Sequence, residues 1–480
     1  MSIIRKSILL SALMATLLTG ALPALAATTS TTTAKEDRMS VAVTIYNNNL
    51  ALIKDRRQLD LDKGVQTLDF REVSGEIRPE TALLKADNLT VLEQNFEFDL
   101  LMPSALLEKY VGREVTVIRT HPTTGQETRQ KARILSATNG VVLEIDGTIE
   151  TGVPGRIVYP DVPENLRDKP TLTMLVDSGT SRAQEVELSY LSGGLGWKAD
   201  YVAELNEKDT MLDIRGWVTL TNTSGAAYEN ALLQLVAGEV NQVRNDQRFQ
   251  SLMLEESVMK ASAGSGMEEE ELFAYHLYTL DRPTTIKNNQ KKQVALMSAQ
   301  NVPCRKELVL EGGGYYYSSK VGEIGKKLNP TVYVEIRNRE KDNLGMPLPA
   351  GVVRVYKEDS SGRVQFVGED RIAHTPRNET MRLLLGEAFD VTADRIQTDF
   401  RKIQGNSRKD YIYESSYSIE LKNGGSQDVE VKIVEPVPGD WEILRESHKY
   451  KKSSSNTATW VVKVPADGST KLTYTVRSRF

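Results

Sequence analysis

The stretch Tyr411-Ile412-Tyr413-Glu414-Ser415-Ser416-Tyr417-Ser418-Ile419-Glu420-Leu421-Lys422-Asn423-Gly424-Gly425 decides the fold class. Tyr411, Tyr413, Tyr417, Ile419 and Leu421 fall on one face of an extended chain. Glu414, Ser416, Ser418, Glu420 and Lys422 fall on the other, with Ile412 the apolar residue among them. A period of two is the mark of a half-buried β-strand. Asn423-Gly424-Gly425 then supplies a turn, because Asn and Gly tolerate positive φ. Val429, Val431 and Ile433 resume the alternation, and Pro436, Pro438 and Gly439 break it. Trp441 and Ile443 start another strand, and Trp460, Val462 and Val464 a further one. Pro465-Ala466-Asp467-Gly468 turns into the last, with Leu472, Tyr474 and Val476 on one face. Short strands at regular turn spacing predict an immunoglobulin-like β-sandwich over 401–480.

The same signal extends upstream, so the chain reads as all-β and multi-modular. Between 106 and 160, Val115 and Val117 lead to the turn Thr123-Thr124-Gly125-Gln126. Thr138-Asn139-Gly140 and Asp146-Gly147 follow at short intervals. Such a run of tight hairpins predicts a small inserted β-barrel of the SH3-like size class. Residues 40–105 then form the first part of a central β domain, and 161–400 continue it as the main β-sandwich. The segment 241–271 breaks the pattern and reads as a long mobile loop. Ser251–Ala261 has the composition of a short helix, and the acidic run Glu268–Glu271 that of a solvated loop.

Length and composition agree with this division. A chain of 480 residues, 40% hydrophobic and 26% charged, is a soluble globular type of two to four domains. The N-terminus carries an export signal. Arg5 and Lys6 give the positive start, Ile8–Leu22 the apolar stretch, and Ala24-Leu25-Ala26 a small-x-small cleavage site after Pro23. The signal peptide is 1–26, and 27–39 reads as a flexible Thr-rich leader. The apolar run is too short and too interrupted to serve as an anchor. No integral membrane span is expected in the mature chain, which places the protein in the periplasm or outside the cell. Cleavage removes Arg5 and Lys6 and no acid, leaving the chain two units more negative than its formal −5. That mild acidity lacks the basic footprint of a nucleic-acid binder. With Cys304 alone in the chain, an internal disulfide is excluded.

The most specific local signal lies in Tyr190-Leu191-Ser192-Gly193-Gly194-Leu195-Gly196-Trp197-Lys198-Ala199-Asp200-Tyr201, with Gly216-Trp217, Thr221–Gly225 and Ala237-Gly238-Glu239. His276-Leu277-Tyr278, Lys292-Gln293-Val294, Pro347-Leu348-Pro349-Ala350-Gly351, Gly368-Glu369 and His374-Thr375-Pro376 complete the set. Together these segments resemble the C-terminal domain of unknown function shared with mucoidy-inhibitor-A-like bacterial proteins, from about Val41 to Phe480. The resemblance implies an exported, β-rich bacterial protein, and it brings no catalytic residues with it. The coiled-coil N-terminal domain of those proteins has no counterpart here, because no heptads are sustained.

The residues offer little for catalysis. His121, His276, His374 and His448 show no metal-ligand spacing, and no His-Glu-x-x-His helix is present. No Gly-x-Ser-x-Gly elbow marks a hydrolase. The glycines at 193, 194 and 196 lead into a strand, whereas a phosphate cradle leads into a helix. Neither a catalytic set, a metal site nor a cofactor is therefore assigned. Candidate contacts for a ligand or partner are Trp197, Tyr201, His276, Tyr315, Tyr316, Tyr317 and His374. The three tyrosines follow Gly312-Gly313-Gly314, and on a strand they alternate faces, so at least one is expected to be exposed unless both faces are covered; the alternative is a buried strand entered through the flexible glycines. Phe480 at the end of an alternating strand is reminiscent of an outer-membrane barrel, but Arg477, Ser478 and Arg479 interrupt the pattern.

Two functions remain open at this level. The first is a non-enzymatic exported protein that binds an envelope glycan or a protein partner. The second is a hydrolase acting on envelope polysaccharide or peptide through carboxylates at an inter-domain cleft.

Overall fold

The computed structural model describes residues 30–480 except 98–99, 154, 164–165, 239, 243–266, 274 and 405–410. The signal segment 1–26 and the helix expected at Ser251–Ala261 lie outside the described residues. The fold is all-β in several sheets, and the chain divides into two compact units.

The first unit comprises Met1–Ala34, Leu59–Arg71 and Ala86–Gln184. One of its sheets has the strand order Ser30–Thr32, Gly64–Arg71, Thr171–Ser178 and Leu89–Glu97. Leu68, Phe70, Leu172, Met174 and Val176 are its buried apolar residues. The stretch read as a flexible leader is thus partly structured. Ser30–Thr32 pairs in parallel with Thr67–Asp69, and the Thr33 hydroxyl accepts the Arg71 N–H at 3.0 Å. Thr-rich chain suits a strand once a sheet edge is available.

The second sheet of this unit is the expected small module. Its order is Thr148–Thr151, Val142–Ile145, Glu127–Ser136, Glu114–Thr120 and Arg156–Val158, antiparallel throughout. The sheet does not close, so it is an open sheet where a barrel was expected. The short helix Pro103–Lys109 explains why closure is unnecessary. Leu106 and Leu107 from that helix pack on Val115, Val117, Ala132, Ile134, Leu143 and Ile145. Pro103 starts the helix, where a missing N–H costs nothing.

The second unit comprises Lys35–Gln58, Glu72–Lys85 and Glu185–Phe480. An eight-stranded sheet runs from Met267–Leu272 through Tyr275–Leu280, Tyr228–Ala237 and Arg38–Tyr46 to Leu50–Leu61 and beyond. The acidic run Glu268–Glu271, expected as a solvated loop within 241–271, is therefore an edge strand. It pairs in a hairpin with Tyr275–Leu280. Backbone pairing has outweighed a weak strand propensity.

A ten-stranded sheet places Val364–Ile372, Gly351–Glu358, Leu195–Leu205, Met211–Asn222 and Gln290–Glu311 side by side. Gln290–Glu311 is 22 residues long and serves two neighbourhoods. Its first half pairs with Met211–Asn222, and its second half with Thr331–Arg337 and Val429–Pro436. The C-terminal core consequently begins well before 401. Leu308, Leu310, Tyr316 and Tyr317 join Tyr417, Ile419, Leu421, Trp460 and Tyr474 in one cluster. The opposing sheet there is Glu323–Leu328, Val391–Gln404, Tyr411–Asn423, Gly468–Arg479 and Asp440–Glu446.

Candidate functional site

The two faces of the Leu195–Leu205 strand do different work. Tyr201 points inward, wholly buried, and its hydroxyl donates to the Pro349 carbonyl at 2.8 Å. The ring needs space that only glycine leaves. A Cβ on Gly216, directly opposite, would lie 3.1 Å from the ring, and one on Gly351 would lie 3.0 Å from it. Tyr278 reaches the same loop and donates to the Pro347 carbonyl at 3.1 Å. Two separate sequence motifs thus clamp a third, Pro347–Gly351.

The outer face of the same sheet carries a polar row that takes one residue from each of five strands. Glu369 meets the Arg354 Nε at 3.1 Å, and Arg354 Nη1 donates to Asp200 Oδ1 at 3.2 Å. The Thr219 hydroxyl donates to Asp200 Oδ2 at 3.1 Å, and Gln293 Nε2 donates to Thr219 Oγ1 at 3.2 Å. Lys198 Nζ stands 3.4 Å from Asp200 Oδ2. Burial pushes the Asp200 carboxyl up, but the hydrogen bonds from Arg354 and Thr219 and the Lys198 charge outweigh it, so it is held below the usual carboxylate range. Such a group is a standing acceptor.

Trp217 lies opposite Asp200 in the register of these strands and is 39% exposed. Its other cross-strand neighbour is the small Ala295. Arg215, two residues away on the same face, is also exposed. An open aromatic plane beside fixed donors and acceptors can stack on the apolar face of a sugar ring while binding its hydroxyls.

The whole of this face falls inside one family match. The description of a domain of unknown function, DUF4139, matches residues 186–480, more than half of the chain. The chain belongs to the DUF4139 family. No curated protein matches the chain.

Within the DUF4139 domain the residues singled out from sequence separate into distinct places. Trp197 is half-buried on the inward face with Tyr201, and its indole N–H is buried without a partner among the described residues. His276 Nδ1 is 2.8 Å from Glu269 on the paired strand, and Arg377 approaches the same carboxylate at 3.8 Å. His374 Nδ1 accepts the Ala350 N–H at 3.2 Å. The two histidines are held by different partners, His276 by Glu269 and His374 by the Ala350 N–H of the Pro347–Gly351 segment.

The tyrosine run is not a strand in the DUF4139 domain. Gly314–Tyr317 forms a 3-10 turn that buries Tyr316 and Tyr317 and leaves Tyr315 63% exposed. The cause is a distant carboxylate. Both buried hydroxyls bond Glu435, which Arg395 holds at 3.1 Å. Of the three, only Tyr315 is placed to meet a ligand.

A cavity of about 200 Å³ opens beside Leu205, Val332, Val334 and Val367. Its charged rim is self-neutralised, with Asp209 bonded to Lys306 at 3.1 Å and to Lys357 at 2.5 Å. Its volume is below that of typical small-molecule pockets, about 300–1,000 Å³. Among the described residues no group of three or more His, Cys, Asp or Glu is arranged to hold a metal ion.

Sequence reasoning missed Trp217 as a contact. The signal was present: Leu212, Ile214, Val218 and Leu220 share one phase of the strand, and Trp217 is out of phase with them.

Proposed function

We propose that this protein is exported by the Met1–Ala26 signal and binds a glycan of the cell envelope, without turning it over, through the face that carries Trp217. The observation that supports this most directly is the exposed indole beside the five-strand polar row. Side chains already cross-bonded in a rigid sheet lose little freedom when a ligand arrives. The hydrolase reading needs a carboxylic acid that keeps its proton near neutral pH. Asp200, the buried carboxylate of this face, is shifted the other way.

The test is retention of the mature chain on immobilised envelope glycans. Trp217→Ala should weaken binding about tenfold or more, equivalent to about 1.4 kcal/mol. Equal retention of the variant and the parent on every glycan overturns the reading. Export is checked separately by mass spectrometry of protein recovered from the envelope fraction. The expected chain starts at Ala27, and a chain that still starts at Met1 contradicts export with cleavage.

A further inference from the structure

The inward face of the Tyr411–Asn423 strand runs past the core it helps to build. Tyr417, Ile419 and Leu421 are buried, while Tyr413 is half-exposed and Tyr411 is 36% exposed. Backbone pairing nevertheless continues to the end. Lys402 pairs with Tyr413, and Gln404 with Tyr411. The Phe480 N–H donates to the Tyr411 carbonyl at 3.0 Å. The side chains beyond the core are therefore held on a rigid frame.

Those side chains form an aromatic ladder. Phe400 stacks on Tyr413 with centroids 5.7 Å apart, and Phe480 meets Tyr413 edge-on at 5.4 Å. Phe480 is 48% exposed. Lys402 Nζ sits 4.0 Å from the Tyr411 ring, without a carboxylate partner among the described residues. The opposite face of the same sheet end carries two apolar side chains, Ile403 41% exposed and Ile412 half-buried, beside the Glu414–Arg477 ion pair. Arg401 and Arg479 flank it, each paired with an acid, Asp399 at 3.1 Å and Glu442 at 3.9 Å.

We propose that this sheet end, built from Phe400, Lys402, Ile403, Tyr411, Tyr413 and Phe480, seats in the headgroup region of a lipid bilayer. A folded partner covers one face of a sheet. Apolar side chains on both faces of one strand end call for a surrounding medium. Aromatic rings with a polar tip partition to the membrane interface, and long cationic side chains reach from there to lipid phosphates. Lys402, the cation of this end that no carboxylate of the described residues holds, supplies the charge complementary to those phosphates. The attachment is peripheral and does not depend on the glycan reading.

Flotation of the full mature chain with vesicles tests it. One vesicle set is phosphatidylcholine, the other phosphatidylethanolamine with a quarter phosphatidylglycerol. The parent should float with both, and better with the second at low salt. The double variant Tyr411→Ser, Phe480→Ser should partition about tenfold less at an unchanged melting temperature. Lys402→Gln should lose only the preference for phosphatidylglycerol. Phe389→Ser removes an aromatic that is 92% exposed before the far end of the Val391–Gln404 strand, and should change nothing. A parent that stays soluble with both vesicle sets overturns the proposal. So does a folded double variant that floats as well as the parent. Soluble parent that is instead captured by a protein or a glycan through this end assigns the surface to that partner and also overturns it.

Discussion

Glu435 and Arg395 meet at 3.1 Å inside the C-terminal sandwich, with 0% and 4% of their side chains exposed. The Tyr317 hydroxyl donates to the same carboxylate at 2.9 Å, and Arg395 Nη1 donates to the Glu311 carbonyl at 3.1 Å. Removing one partner of such a pair strands a charge away from water, at a cost of about 3–5 kcal/mol. Glu435→Ala should lower the urea midpoint by that equivalent. Tyr317→Phe, which deletes the bond to Glu435 and the bond shared with the Tyr474 hydroxyl, should cost about 1–3 kcal/mol. A Glu435→Ala protein as stable as the parent would show that the pair is dispensable.

Asp200 links acid stability to the Trp217 face. Its carboxyl is depressed in the folded state, so its contribution is complete above the ordinary value of 3.8 and disappears as pH falls through the lower folded value. The melting difference between the parent and Asp200→Asn should therefore be constant around neutral pH and shrink only in strong acid. A difference that already changes between about pH 5 and 8 would point to another group, such as a histidine.

Gly194 and Gly196 look alike in sequence and should behave differently. Gly194 has φ +75°, and a Cβ there would lie 2.5 Å from Ser224 Cα. Gly196 has neither restriction. Gly194→Ala should destabilise by about 1–3 kcal/mol, and Gly196→Ala by no more than about 0.5 kcal/mol. Thermal unfolding of the two variants side by side separates them.

Cys304 should be a slow thiol. It is half-buried, and burial, with the nearby Asp209 charge, pushes it up to about 11. Since the thiolate is the reactive form, labelling by a disulfide reagent at neutral pH should be far slower than for a free exposed thiol. The rate should keep climbing as the solution is made more alkaline. Prompt labelling at neutral pH would contradict the burial.

Much of this fold is legible because half-buried antiparallel strands write their faces into the sequence. Tyr417, Ile419 and Leu421 were readable as core for that reason. Tyr411 and Tyr413 share their phase but not their burial, since periodicity reports a face and not the presence of an opposing layer. That Tyr316 and Tyr317 sit in a 3-10 turn and not on a strand was not legible, because the carboxylate they bond is more than a hundred residues away. Glu268–Glu271 escaped because its hairpin turns at Phe273, with φ +60°, instead of at a glycine or asparagine. Of the site, Asp200 and Trp217 stood inside recognisable motifs, yet their pairing across two strands is a matter of register, which no single strand records.

The Gln290–Glu311 strand has a consequence for how the second unit can be taken apart. One uninterrupted backbone segment holds Met211–Asn222 at one end and Val429–Pro436 at the other. Trimming the chain at 401 to isolate the C-terminal sandwich would discard Leu308, Leu310, Tyr316 and Tyr317 and open its core. A single protease cut within this strand would unpair neighbours in both sandwiches. The two halves share a fate through 22 residues, and an experiment that seeks one of them alone has to carry the other along.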